Sequence, residues 1–172
     1  MSGRADVVCG SPRVDGRDPE HGSGVGPAST WPLTSSLVLG ALDTAPSCAR
    51  LHAGAVLREW GLAELADTAE LVVSELVTNA VQASTGPRDR PQLGLPVVRV
   101  RLMSDRKLVM IEVWDTSTDT PILRQPESGE EAGRGLMLVE ALCQRWGWKP
   151  APDSGCKVVW AELQLPRVLC LF

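Results

Sequence analysis

The sequence predicts an α/β domain, because segments of 3.6-residue apolar period alternate along the chain with segments of two-residue period. Three stretches carry this reading. Ala69–Ala83 places Ala69, Val72, Val73, Leu76, Val77, Ala80 and Ala83 on one stripe of a helix. Val97–Met103 and Lys107–Asp115 alternate apolar and polar residues about the short connection Ser104-Asp105-Arg106, as the two arms of a hairpin do. Lys157–Leu163 repeats the strand pattern with Val159, Ala161 and Leu163 on one face.

At 172 residues the chain is long enough for one domain with a single core. Residues 1–32 read as an N-terminal tail, because ten of them are Gly or Pro and their charges show no period. Residues 33–166 read as the folded domain and 167–172 as a C-terminal tail. A net charge of −4 recommends neither direct nucleic-acid binding nor an anionic membrane. The five cysteines form no C-x-x-C pair, which argues for reduced thiols, and the N-terminus lacks an apolar signal core. No run approaches the ~18 apolar residues of a membrane span. These features point to a soluble, cytoplasmic protein.

Along the domain, Ser35–Leu42 has strand character weakened by Gly40. Asp43-Thr44-Ala45-Pro46 is a helix start, with a side-chain oxygen for the cap and proline in the first turn. Ala49, Ala53, Val56, Leu57 and Trp60 form the buried face of that helix, and Gly61 ends it. His52 lies one residue off the face and reads as a surface or satisfied interfacial histidine, since no second ligand is spaced to join it. The next helix runs from Ala63 or Asp67 to Ser84, and Thr85–Pro91 has loop composition. Glu75 and Asn79 are four residues apart, hence one above the other at the edge of the apolar stripe, where they face a cleft or merely solvent.

In the second hairpin arm Val109, Ile111 and Val113 share a face, and Asp115 continues it, so the period of two brings a carboxylate to the end of an apolar row. Thr116–Ala132 is a long polar connection of the kind that serves as a lid or binding loop. Gly133-Arg134-Gly135 then opens a helix whose stripe is Leu136, Val139, Leu142, Cys143 and Trp146, with Gly147 as its end. Glycines ahead of unpaired helix N–H groups suit an anion, although a plain turn explains the same residues. No G-x-x-x-x-G-K-[ST] pattern occurs, which excludes a P-loop.

The ordered set Glu75-x-x-x-Asn79-Ala80, Asp115, Gly133-Arg134-Gly135-Leu136 and Gly155-x-Lys157-Val-Val-Trp160 resembles the Bergerat-fold (GHKL) ATPases. More closely, it resembles the stand-alone anti-sigma-factor serine/threonine kinases of the actinobacterial ATP-binding group. The resemblance covers Leu33 to Pro166. It implies a two-layer α+β sandwich, with a mixed, mostly antiparallel sheet covered on one face by helices. It implies ATP and Mg²⁺ as cofactors. Asn79 matches the Mg²⁺ ligand, Glu75 the catalytic residue that polarises the attacking hydroxyl, and Asp115 the acceptor of the adenine amino group. Ser117 offers a hydroxyl beside Asp115, and Gly133, Arg134, Gly135 and Leu136 match the phosphate loop. Thr116–Ala132 matches the lid.

The implied partners are a sigma factor and a STAS-type antagonist protein, with homodimers frequent among relatives. Two departures stand out. The usual Asp-x-Gly-x-Gly is Asp115-Thr-Ser-Thr-Asp119 here, and Glu131 stands where well-studied members place an arginine toward the γ-phosphate. Arg134 or Arg124 could substitute for that arginine. Three readings follow: a kinase of the antagonist, a nucleotide-gated interaction module without efficient transfer, and a fold with a dead pocket used for protein contact. Trp114, adjacent to Asp115, offers itself as a fluorescent reporter of nucleotide.

Overall fold

The computed structural model describes residues 31–85, 96–117, 134–151 and 156–165. In chain order the elements are β1 (Leu33–Gly40), α1 (Ala45–Glu59), a 3₁₀ turn (Ala63–Leu65) and α2 (Ala66–Thr85). They continue with β2 (Val97–Ser104), β3 (Leu108–Asp115), α3 (Arg134–Leu142), β4 (Arg145–Pro150) and β5 (Lys157–Gln164). The five strands form one sheet in the order β1-β2-β3-β5-β4. All four pairings among the described strands are antiparallel, consistent with the mostly antiparallel sheet that the resemblance implies. The three helices pack on one face, giving the expected two-layer α/β sandwich.

α2 is the centre of the helical layer and packs against α1, α3, β2, β3 and β5. Its Val72, Val73, Leu76 and Val77 are at most 1% exposed, and Ala69 and Ala80 are buried beside them. The sequence of α2 is rich in valine and threonine, whose branched β-carbons lower helix propensity. Tertiary burial decides the matter, at about 1.5–3 kcal/mol for each fully buried aliphatic side chain. Truncating Leu76 to alanine at this position would cost about 2–5 kcal/mol.

α1 starts at Ala45, with Thr44 at the N-cap and a proline in the first turn, but no side chain caps it. Its end is a Schellman motif: Leu62 N–H donates to the Leu57 carbonyl (2.8 Å) and Gly61 N–H to that of Arg58 (3.1 Å). Gly61 has φ +75°, which explains the glycine. The β2–β3 turn is held by the Asp105 carboxylate, which accepts the N–H groups of Lys107 (2.8 Å) and Leu108 (3.0 Å).

The third helix is shorter than its apolar spacing suggests. α3 ends at Leu142, and Trp146 belongs to the edge strand β4, not to a helical stripe. The segment Arg145-Trp-Gly-Trp-Lys alternates, and Trp146 and Trp148 both turn to the helical face. Gly147 between them faces Trp160 across the strands; a Cβ there would sit 2.9 Å from the indole Cζ2. A glycine under an aromatic ring is therefore a strand feature here, and not a helix terminator.

The other face of the sheet carries Met103, Met110 and Trp160, packed with Trp31 and Leu108. Two cross-strand ion pairs lie on it, Arg101–Glu112 (2.6 Å) and Arg145–Glu162 (2.9 Å). The Arg101 guanidinium also lies 5.1 Å from the centre of the Trp114 ring.

Candidate functional site

Two clusters line the helical side of the sheet between α2, α3 and the ends of β3 and β5. The first belongs to α2 and α3. Glu75 and Asn79 are half-buried, one turn apart, beside the stripe that packs into the core. Gly135, at the start of α3, approaches Glu75 so closely that a Cβ would clash with Oε2 and stand 3.3 Å from Cδ. Glu75 thus points at the N-terminal end of α3, where the helix dipole favours negative charge. Leu136 is 6% exposed and anchors α3 in the core. The Asn79 Nδ2 is buried with no hydrogen-bond partner among the described residues. A buried amide without a partner costs about 1–3 kcal/mol, which a bound ligand would recover.

The second cluster sits at the end of the sheet. Asp115 ends the apolar row of Val109, Ile111 and Val113 as its period requires, and is 2% exposed. Lys157, its cross-strand neighbour at the start of β5, places Nζ 3.0 Å from Asp115 Oδ1. The same Oδ1 accepts the Ser117 backbone N–H at 2.8 Å, which turns the chain out of β3. Ser117 is itself buried, at 6% exposure. Thr116 joins this end to α2, its N–H and hydroxyl meeting the Ser84 Oγ at 3.4 and 3.3 Å. In the next row of the sheet stand Val113, Val159 and Trp148. The buried Trp148 Nε1, like that of Trp146, has no hydrogen-bond partner among the described residues.

Glu75 and Ser84 are nine residues apart on α2, about 13–14 Å along its axis. The clusters are therefore two ends of an elongated site. One end has a carboxylate, an amide and a helix N-terminus; the other has a fixed carboxylate in an apolar setting.

Of the residues singled out in the sequence, Glu75, Asn79, Gly135 and Leu136 gather at the first end, and Asp115 and Ser117 at the second. Arg134 opens α3 with its backbone. Gly133, Arg124, Glu131 and, of the expected lid Thr116–Ala132, residues 118–132 lie outside the described residues.

Three residues beside these clusters were given no role in the sequence reading, although Lys157 stands in its closing motif. Lys157 was legible as a lysine sharing the parity of Val159, Ala161 and Leu163, a charge on a buried row. Trp148 was legible only once β4 is recognised as a strand. Ser84 was read merely as the end of a helix. Trp114, conversely, is not a reporter of the site: its ring lies on the opposite face of the sheet, against Arg101. Neighbours in a strand point to opposite faces, so adjacency to Asp115 argues against proximity.

Among the described residues no group of three or more His, Cys, Asp or Glu could hold a metal ion. Any metal here would be bound largely by a ligand's own oxygens and water, the usual manner of Mg²⁺. Elsewhere, His52 Nε2 meets Ser35 Oγ at 3.1 Å, the satisfied interfacial histidine expected, and burial lowers its pKa. Burial pushes the Cys143 thiol up to about 12. None of the described helices is long and apolar enough to cross a membrane.

Among the described residues, a single antiparallel sheet lies under three helices, with Glu75 and Asn79 on α2, Asp115 ending β3 and Gly135 in the first turn of α3. The family model described as "Histidine kinase-like ATPase domain" matches residues 41–162. The chain belongs to that family. No curated protein matches it. Among solved structures, it is similar to the RsbU and RsbW domains of Rv1364c from Mycobacterium tuberculosis, at 20% identity and a TM-score of 0.49. That match covers 77% of this chain, which spans 32% of the solved one.

Proposed function

We propose that the protein is an ATP-binding serine/threonine kinase of the anti-sigma-factor type, which phosphorylates a STAS-type antagonist protein and controls a sigma factor in the cytoplasm. The observation that carries the reading is the two-ended site: Glu75 and Asn79 at the start of α3, and Asp115 at the end of β3. Family membership supports ATP as the ligand. Asp115 accepts a hydrogen bond from the adenine amino group in a slot floored by Val113 and Val159. The α3 N-terminus, from Arg134 through Gly135, cradles the phosphates with backbone N–H groups.

The Asn79 Nδ2, without a partner among the described residues, is a donor that suits a phosphate oxygen, and Oδ1 of the same amide is the atom that would hold Mg²⁺. The ion supplies charge neutralisation at the phosphates when bound. Glu75 orients the attacking serine or threonine hydroxyl and takes its proton. The oxygen–phosphorus bond to the antagonist forms as the bond to the ADP oxygen breaks. A positioned base of this kind contributes roughly 10²–10⁴-fold.

The second reading, a nucleotide-gated interaction module without efficient transfer, draws on Glu131 and on the glycines missing after Asp115. A carboxylate facing the γ-phosphate repels it, and Ser117 and Asp119 occupy the two motif positions where glycine would relax the backbone. Turnover separates the two readings. Titration calorimetry with Mg-ATP, followed by incubation with γ-labelled ATP and candidate antagonist proteins, tests both. Label on the antagonist supports the kinase. Tight binding with no label on any candidate selects the module, and no binding removes both.

A further inference from the structure

Recognition of an exocyclic amine requires one acceptor, yet the base end of the site holds a charge pair. Lys157 and Asp115 have side chains 5% and 1% exposed, with Nζ and Oδ1 3.0 Å apart. Lysine is almost never buried to this depth unless paired. An ammonium carries three N–H donors, and Asp115 Oδ1 takes one of them. The side chains in the next row of the sheet, Val113 and Val159, have no acceptor to offer. The antiparallel register of β3 and β5 fixes the order of the two groups, acceptor on β3 and donor on β5.

We propose that Lys157 is a second base-reading residue, donating a hydrogen bond to the adenine ring nitrogen N1 while Asp115 accepts from the neighbouring N6 amino group. The inference rests on the nucleotide reading of the site and deepens it. Adenine presents a donor (N6–H) and an acceptor (N1) side by side, and a carboxylate beside an ammonium is the complement of that edge. Guanine presents the reverse order, O6 accepting and N1–H donating, so a base in the same orientation would set like against like. Asp115 alone could not make this distinction as sharply, because both purines have a donor near that edge. The charge of the donor also makes the bond to N1 stronger than a neutral one.

The test compares ligands before it compares variants. Wild-type protein is titrated with the Mg²⁺ complexes of ATP, of 1-deaza-ATP, in which CH replaces N1, and of purine riboside triphosphate, which keeps N1 but lacks the amino group. The expected result is roughly 10–100-fold weaker binding of each analogue than of ATP. Lys157→Met should weaken ATP and erase its advantage over 1-deaza-ATP, while retaining its advantage over purine riboside triphosphate. Equal wild-type affinity for ATP and 1-deaza-ATP overturns the role of Lys157, even if the variant does not fold. If purine riboside triphosphate is then still weakened, the nucleotide reading stands with Asp115 alone. Failure of all three ligands to bind overturns the nucleotide reading together with the inference.

Discussion

The carboxylate of Glu75 lies against Gly135, so that a side chain at this position of α3 could be seated only if the Glu75 carboxylate moved. The consequence is a coupled pair: Gly135→Ala should displace Glu75 or lift the start of α3. The expected loss is about 1–3 kcal/mol of stability from overpacking, with phosphoryl transfer lowered at least tenfold. Glu75→Ala should relieve the crowding, making the double variant more stable than Gly135→Ala alone. Urea denaturation of the four proteins checks this; additive losses would show that the two residues do not touch.

Glu75 and Asn79 sit one turn apart but are asked to do different work. Glu75→Gln keeps the shape and should leave Mg-ATP affinity within about threefold while transfer falls roughly 10²–10⁴-fold. Asn79→Ala removes the amide that would face the metal and should abolish Mg-ATP binding itself. Calorimetry beside a γ-phosphate transfer assay separates the two. Equal effects of both variants on binding would argue against the division of labour.

Much of this site was written in periodicities. The stripe Ala69–Ala80 and the alternation Val109–Asp115 put Glu75 and Asn79 beside the buried stripe and Asp115 at the end of a buried row, as the structure has them, because each residue's orientation follows from its own element. What periodicity could not give was the partner across a strand boundary. Lys157 meets Asp115 only through the β3–β5 register, a contact between residues 42 positions apart. β4 was misread because Leu142, Cys143 and Trp146 are spaced as a helix would space them, while Trp146-Gly-Trp148 is equally a strand. The competition was settled by Trp160 on Gly147, again a non-local contact.

Trp148 and Trp114 should report different faces of the sheet. Trp148 shares the row next to Asp115 and Lys157 on the helical side, whereas Trp114 stacks with Arg101 on the other. Nucleotide added to wild type should change tryptophan emission. Trp148→Phe should remove most of that change and Trp114→Phe little of it. The opposite pattern would move the ligand to the outer face.

His52 gives a pH dependence whose sign can be worked out. Burial lowers its pKa below the ordinary 6.5, so between the folded and unfolded values the unfolded chain binds more protons. The contribution of His52 to stability is therefore intact above about pH 6.5 and declines as pH falls through 6.5 toward the folded pKa. His52→Gln, which can still hydrogen-bond Ser35, should flatten that part of the stability profile. Chemical denaturation at pH 7.5, 6.5 and 5.5 measures it; an unchanged slope would exclude His52 as the source.

Asp115 and Lys157 raise the question of why a folded core keeps a buried ion pair at all. Removing one partner leaves the other charge uncompensated, so Asp115→Leu and Lys157→Met should each cost about 3–5 kcal/mol. Replacing both with apolar side chains removes both desolvation penalties, and such replacements are commonly neutral or stabilising. The double variant should thus approach wild-type stability, with a coupling of several kcal/mol between the sites. It should nevertheless bind no nucleotide, because the groups that face the base are gone. Denaturation midpoints and Mg-ATP calorimetry on the four proteins decide the point. Recovered stability without recovered binding means the pair is kept for the ligand it reads. A double variant that stays destabilised by as much as either single variant would instead make it a structural pair, held for the joint between β3 and β5, and strictly additive losses would show that the two groups do not interact.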